Sequence, residues 1–388
     1  MPTITLRPRE ERRLLNGHLW VFSNEIGTIE GTPGKGDLVN VMSAGGKLMG
    51  VAIYNPNSLI AARLIDRNQV PLDGDWFRSR IQRALQLRGL LFPDSTTYRI
   101  LHSESDGVPG VIVDRFNNVM SVQIAAAGME ARRDLLFDAL MEVEGVEGVV
   151  ERNDHQLRQL EGLPERVGLV RGVADVQQIS DGVINYQIDP LGGQKTGAYL
   201  DQRQNRIAMR RFMAVGRVLD LFCNDGGFAL HASHAGAGQV VAVDSSAIAL
   251  RAVETNRTLN NLSAIQLSQN DVFSELHDRR AQGEQFDAVI ADPPPFARSK
   301  KHIAAARKRY VELFSLALQV TAQNGVAFLA TCSHHITRDT LLEMVRESLR
   351  RVRRDAIILE ERGASPDHPV HPAMTETGYL QGVILRVG

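Results

Sequence analysis

VGRVLDLFCNDGGFALHASHAGAGQVVAVD, Val215 to Asp244, is the stretch that decides the fold. An apolar run ends at Phe222. A tight loop, Cys223-Asn224-Asp225-Gly226-Gly227, leads into a helical segment, Phe228 to Ala235. After Gly236 and Gly238 a second apolar run, Gln239 to Val243, stops at Asp244. Strand, glycine turn, helix, strand and acid make the opening unit of a doubly wound α/β domain, whose ligands sit beyond the carboxyl ends of the strands. An acid at the end of the second strand can accept two ribose hydroxyls, so the ligand reads as a nucleoside. The turn lacks G-x-G-x-x-G, the form that brings backbone amides close to a pyrophosphate. Asp220 and Asp225 place further carboxylates near the turn. They suit a cationic sulfonium and would repel phosphate. S-adenosyl-L-methionine fits this combination.

Beyond Asp244 the α/β alternation continues. Ala247 to Asn260 reads as a helix and Ile265 to Leu267 as a third strand, followed by Asn270-Asp271-Val272-Phe273. Asp271 can accept from an adenine amino group while Val272 covers the ring. Phe286 to Ala291 is a fourth strand that ends in Asp292-Pro293-Pro294-Pro295-Phe296. Consecutive prolines cannot extend a ladder and keep the loop stiff. Gly325 to Thr331 is a fifth strand, ending in Cys332-Ser333-His334-His335, and Thr337 can cap the next helix. Ala356 to Glu361 and Tyr379 to Val387 supply two more strands. Cys332 therefore stands at the mouth of the sheet, one strand from Asp292, and reads as a reactive thiol. Cys223 reads as packing in the cofactor turn. Cys332, His334 and His335 lack a fourth ligand at finger-like spacing, so no metal is expected. Upstream, Gly192 to Asn205 (GGQKTGAYLDQRQN) carries Tyr199, Asp201, Gln202 and Arg203, which can face a ligand or cap a helix over Ile207 to Phe212.

At 388 residues the chain has room for two or three domains. Leu38 to Met42, Lys47 to Tyr54 and Leu59 to Ile65 are short strands separated by turn signals, which suggests a small barrel over residues 1 to 70. Residues 74 to 187 mix helices at Trp76 to Leu91 and Gly128 to Val143 with strands at Val111 to Asp114, Val119 to Ile124 and Val146 to Glu151. Leu157 to Gln178 reads as loops. His102, Glu104 and Asp106 read as a hydrated loop, and Trp20 and Phe22 as core. The fold expected is α/β, with a doubly wound, Rossmann-like domain over 188 to 388 behind an α+β middle domain and the barrel.

Two cysteines argue against a disulfide framework, and no apolar run reaches the length of a membrane span. The N-terminus has no secretory pattern, and the expected setting is the cytoplasm, away from membranes. The net charge of −1 makes no global case for nucleic acid. Its distribution does: Arg298 to Arg309 holds six basic residues and no acid. In that run Lys300, Lys301, Arg307, Lys308 and Arg309 are candidate RNA contacts. Arg346 to Arg354 and the group Arg7, Arg9, Arg12 and Arg13 are lesser patches. Each can also be read as a solvated helix face; the first run directly follows the DPPPF loop, which tips it toward function.

At GHLWVF and GDLVNV residues 1 to 70 resemble a PUA domain, the small barrel attached to many RNA-modifying enzymes. With DLFCNDGGF, VVAVD, NDVF, DPPPF and TCS in this order, the chain resembles class I S-adenosylmethionine-dependent methyltransferases. More closely, it is similar to the PUA-containing 23S rRNA cytosine-5 methyltransferases of the large-subunit methyltransferase I type. KTGAYLDQR and DHPVHP…GYL extend the likeness over nearly the whole chain. The resemblance implies a cysteine nucleophile at Cys332 and a partner on the base at Asp292. It assigns Asp220, Phe222, Cys223, Asn224, Gly226, Gly227, Asp244, Ser245, Asp271 and Val272 to the cofactor, with Tyr199, Gln202 and Arg203 near it. It implies RNA, 23S rRNA, as the partner; a homodimer is compatible with the sequence and not specified by it. The chain departs from the family at Asn224-Asp225, where Tyr-Thr is usual, and at His334, where a small residue is common. Two other readings stand beside this one. In one the chain is an amino-group methyltransferase that uses DPPPF to orient an exocyclic nitrogen. In the other it is a non-catalytic RNA-binding or ribosome-assembly factor.

Overall fold

The computed structural model describes residues 1–193, 196–214, 216–296 and 302–388. The chain packs into two compact units. One comprises Met1–Ile179, Ile188–Leu200 and Pro366–Thr377; the other comprises Ser180–Gln187, Asp201–Ser365 and Gly378–Gly388. Among the described residues no helix is long and apolar enough to cross a membrane.

The first unit opens with a six-stranded sheet, in spatial order Trp20–Phe22, Ile60–Asp66, Leu48–Tyr54, Leu38–Met42, Thr3–Leu6 and Ile26–Glu30. Its core follows strand alternation: Val39 and Val41 are buried while Leu38, Asn40 and Met42 are not. A five-stranded mixed sheet follows, in order Arg166–Gly172, Gly148–Asn153, Val119–Ile124, Val111–Phe116 and Thr97–His102. Against it packs the helix Gly74–Leu91, capped by the Asp73 carboxylate on the Trp76 N–H at 3.0 Å.

Three elements here differ from the sequence reading. Leu157 to Gln178 is not all loop: Arg166–Gly172 is an edge strand paired with Gly148–Asn153. The helix expected over Gly128 to Val143 is two pieces, Ala127–Glu130 and Arg133–Met141. His102, Glu104 and Asp106 do not form a hydrated loop. Glu104 is buried and accepts from Trp20 Nε1 at 2.7 Å and Arg63 at 2.8 Å. Asp106 accepts both Nη atoms of the fully buried Arg88, at 2.6 and 2.8 Å. Burial, with Arg99 and His368 nearby, lowers the His102 pKa to about 3. The imidazole is therefore neutral, and its Nε2 meets the Thr377 carbonyl at 3.1 Å.

That last contact belongs to a strap, Pro366–Thr377, which packs in the first unit although both its chain neighbours lie in the second. The Asp367 carbonyl accepts from Arg88 and its Oδ2 from the Arg99 N–H.

The second unit holds a seven-stranded sheet. Its helices and strands, in chain order, are α1 (Arg203–Met213), β1 (Arg217–Leu221), α2 (Gly227–Ala235), β2 (Gln239–Asp244), α3 (Ala247–Leu259), β3 (Ile265–Gln269), α4 (Val272–Ala281), β4 (Phe286–Ala291), α5 (Ile303–Val320), β5 (Thr321–Thr331), α6 (Arg338–Val352), β6 (Ala356–Gly363) and β7 (Gln381–Val387). The spatial order is β3-β2-β1-β4-β5-β7-β6. Strands β1 to β5 run parallel and β7 is antiparallel to both neighbours. Leu219, Val241, Val289 and Ala327 are completely buried, as strands covered on both faces must be, and α5 adds Tyr310, Phe314 and Ala317. Strand order reverses between β1 and β4, so the crevice for a ligand opens at their carboxyl ends. The α/β, Rossmann-like expectation holds.

Candidate active site

The loop after β1 turns back on itself through left-handed residues. Phe222 has φ 59°, Asn224 φ 48° and Gly226 φ 84°. Only a few per cent of non-glycine residues are left-handed; asparagine tolerates it, and a phenylalanine there is strained. The loop is tied down at the end of β2. Cys223 N–H donates to the Val243 carbonyl at 3.0 Å, and Asn224 N–H donates to Asp244 Oδ2 at 3.0 Å. Asp244 Oδ1 accepts from the Ser246 N–H at 2.9 Å. Each carboxylate oxygen has two lone-pair directions, so Asp244 keeps one per oxygen for a pair of hydroxyls. Ser245 beside it is exposed.

Gly226 and Gly227 are required by packing. A Cβ on Gly226 would stand 2.9 Å from Val253, and one on Gly227 would lie 2.3 Å from Arg206 Nε. Arg206, on α1, lies 3.8 Å from Asp225 Oδ1 and under the Tyr186 ring. The Asp225 carboxylate thus faces a buried guanidinium, which the sequence reading, placing it toward the sulfonium, did not anticipate. Behind it Asp181 accepts from His231 Nε2 at 2.7 Å, the Tyr186 hydroxyl at 3.0 Å and the N–H groups of Val183 and Ile184. Burial lowers the His231 pKa, so its imidazole is a neutral donor. Arg206, Asp181 and His231 carry no local motif.

Asp220 is almost wholly buried and accepts from the Ala229 N–H at 2.9 Å. Burial raises its pKa to about 8; the Ala229 bond opposes the shift and nearby Asp292 adds to it. At neutral pH the carboxyl is mostly protonated, and an arriving cation would favour its ionisation. Asp271 caps α4, its Oδ1 accepting from the N–H groups of Phe273 and Ser274, with Val272 buried behind it. Gln202 is buried, its Oε1 accepting from Asn205 at 2.6 Å while Nε2 has no partner. Arg203 Nε donates to the Asp181 carbonyl. Tyr199 is half-buried and belongs to the first unit. A turn pinned to a half-used acid and an orphaned buried amide fit a nucleoside carrying a sulfonium.

On the other side of β1, Ala291 of β4 pairs with Leu329 of β5. Asp292 and Cys332 follow that pair by one and three residues. Cys332 is half-buried, and its Sγ donates to the Pro293 carbonyl at 3.5 Å. The other thiol, Cys223, is buried, and burial pushes its pKa far up, so it stays protonated. Ser333 Oγ and the Tyr310 hydroxyl are 2.9 Å apart. The rings of Phe296 and Tyr310 are 4.6 Å apart, and Phe273 lies 6.4 Å from Phe296. His334 is exposed. Among the described residues no group of three His, Cys, Asp or Glu could hold a metal.

The basic run divides. Lys300 and Lys301 lie outside the described residues. Arg307 pairs with Glu343 at 2.8 Å, Arg309 lies 4.7 Å over Phe273 and 5.2 Å over Phe296, and Lys308 is exposed. In the later patch Arg354 is spent on the carbonyls of Leu318, Thr321, Ala322 and Gly388.

A family model described as S-adenosylmethionine-dependent methyltransferase matches residues 170–375, more than half of the chain. One described as a PUA-like domain matches residues 4–67. The chain is 36% identical to the ribosomal RNA large subunit methyltransferase I of Aeromonas hydrophila subsp. hydrophila, over 99% of each chain. It is 35% identical to that of Vibrio cholerae serotype O1, over 100% of this chain and 99% of the relative. The chain belongs to the ribosomal RNA large subunit methyltransferase I family. Like that family it joins a PUA-like domain to an S-adenosylmethionine-dependent methyltransferase, and S-adenosylmethionine is its methyl donor. The solved structure of SMU.776, described as a methyltransferase complexed with SAH, is similar across 100% of both chains with a TM-score of 0.87. At 21% identity that likeness speaks for the fold.

Proposed function

We propose that the protein methylates C5 of a cytosine in 23S ribosomal RNA through a transient bond between Cys332 and C6 of the base. The RNA is the one that the relatives' names indicate; a cytoplasmic setting goes with that substrate. The observation that carries the reading is the placement of Cys332. It is the half-exposed thiol of two, at the carboxyl end of β5, with Asp292 at the end of adjacent β4.

C5 of cytosine is a poor nucleophile while the ring is aromatic. Addition of the Cys332 thiolate to C6 makes C5 an enamine carbon able to attack a methyl group. S-adenosylmethionine supplies that methyl as an electrophile on its sulfonium. Asp292, acting as a carboxylic acid once the base is bound, hydrogen-bonds N3 and stabilises the charge that gathers there. Asp244 holds the ribose hydroxyls, Asp271 and Val272 the adenine, and Asp220 the positive end of the cofactor. The prolines of 293 to 295 keep Asp292 and the Pro293 carbonyl in place. A base buried in a duplex could not reach Cys332, so the target is unpaired or flipped out.

RNA carrying 5-fluorocytosine at the target tests the reading. The fluorine blocks loss of the C5 substituent, so enzyme and RNA should remain joined on a denaturing gel, with the link mapping to Cys332. Full turnover by Cys332→Ser on the natural RNA would instead favour methylation of an amino group.

A further inference from the structure

Once the methyl group has reached C5, that carbon still bears its proton, and the cysteine cannot leave until a base removes it. The carboxylates of the sheet edge are engaged elsewhere. Asp244 holds two N–H groups, Asp271 caps α4, Asp225 faces Arg206, and Asp220 is buried against Ala229. Asp292 is assigned to N3. The Tyr310 hydroxyl is occupied with Ser333, and burial raises its pKa.

His334 stands beside the thiol at the same strand end. It lies two residues beyond Cys332 in a turn closed by the Ile336 N–H on the Ser333 carbonyl at 2.9 Å. Its side chain is exposed, and its ring rests against that of Tyr379, centroids 5.3 Å apart and planes at 41°. Tyr379 is anchored in turn. Its hydroxyl donates to Asp201 Oδ2 at 2.5 Å, and the Asp201 carbonyl accepts from the Ser365 N–H at 2.8 Å. An imidazole is thus held at the mouth by a ring tied to a buried acid. Imidazole is the side chain suited to taking a proton near neutral pH and passing it to water.

We propose that His334 is the base that removes the C5 proton from the methylated Cys332 adduct, with Tyr379 as its positioning residue; this rests on the cytosine-5 reading above. The neutral imidazole takes the proton. The C5–H electron pair becomes the C5–C6 double bond, the C6–S bond breaks, and its electrons return to Cys332 as thiolate. The imidazolium then gives its proton to solvent, so no further reactant is needed.

The test uses the full chain, natural-sequence RNA and labelled S-adenosylmethionine. His334→Ala should keep its cofactor affinity and transfer about one methyl per enzyme molecule, then stall. A denaturant-stable adduct carrying the label should accumulate and map to Cys332. Turnover should fall about 10²–10⁴-fold, the usual contribution of a positioned acid or base. Added imidazole should restore turnover and clear the adduct. Tyr379→Phe keeps the ring and should lower kcat less, with little change in KM. Parental turnover by His334→Ala overturns the base role, and so does loss of methyl transfer without adduct. If the parent still forms the 5-fluorocytosine adduct in those cases, the cysteine reading stands alone. If it forms none, both fall together.

Discussion

Across the β1–β3 half of the sheet edge the carboxyl groups of Asp220, Asp244 and Asp271 are each met by backbone N–H groups, whereas across the β4–β5 half the Cys332 thiol meets a proline carbonyl. The first half is organised by the chain folding back on its own acids. The second is organised by stiffness, three prolines fixing a short loop beside a strand end. Amide-held acids suit affinity, because they arrive pre-oriented for hydroxyls and an amine. A half-buried thiol at a strand end suits chemistry, because a base can reach it and its sulfur is intrinsically nucleophilic. Substitutions on the two sides should therefore separate binding from turnover.

The sharpest separation is expected at Cys332. Cys332→Ser should lower methyl transfer on the order of 10⁴-fold or more, the scale seen when a nucleophile or its partner is lost, while calorimetry shows unchanged cofactor affinity. Cys223→Ser should keep most activity. Next comes Asp244→Ala. Loss of a charged acceptor costs about 1.5–3 kcal/mol, so affinity for S-adenosylmethionine and for SAH should drop by similar factors, roughly ten- to a hundredfold. Turnover at saturating cofactor should be much less affected. Equal affinity before and after would break the comparison, leaving Asp244 as a turn anchor alone.

Asp220 gives a smaller effect with a definite sign. Its folded pKa of about 8 lies above the ordinary carboxyl value near 4. Between those values the unfolded chain has released a proton that the folded chain retains, so stability falls as pH rises through that window and levels off above it. Asp220→Asn should flatten this slope in melts from pH 5 to 8.5. It should also cost preference for the cation over neutral SAH, on the order of tenfold, the equivalent of one pKa unit. A slope identical to the parent's would remove Asp220 from the cofactor side. The least effect is expected on the basic run. Lys308→Ala should flatten the salt dependence of RNA binding by up to about 0.7–0.9 log units. Arg307→Ala should do less, because Glu343 already holds that guanidinium.

The site's chain-local parts were legible in the sequence. Strand, glycine turn, helix and acid, the capping Thr337, and the strand ends at Asp292 and Cys332 all follow from residues a few positions apart. What stayed hidden was set by distant partners. Glu104 looked like a loop acid because Trp20 and Arg63, which bury it, lie 84 and 41 residues away. Nothing near Asp225 in sequence announces Arg206, the guanidinium it faces. The strand Arg166–Gly172 was missed because it is an edge: Val167 and Leu169 are about half exposed, and its pattern carries no clean apolar face. In the small N-terminal sheet the parallel pairing of Thr3–Leu6 with Leu38–Met42 is likewise invisible to local turn chemistry.

The strap at Pro366–Thr377 sets a timetable for the chain's synthesis. Asp367 is the partner of Arg88 and Arg99, made 279 and 268 residues earlier. At roughly 5–20 residues per second those two arginines wait about 15–60 s for it. During that wait the Arg88 and Arg99 sites of the nascent first unit lack those bonds, although its sheets have long emerged. The unit that begins first is therefore completed only after nearly all of the second has been made, and a chain cut short before Asp367 lacks those two bonds in its earliest-made part.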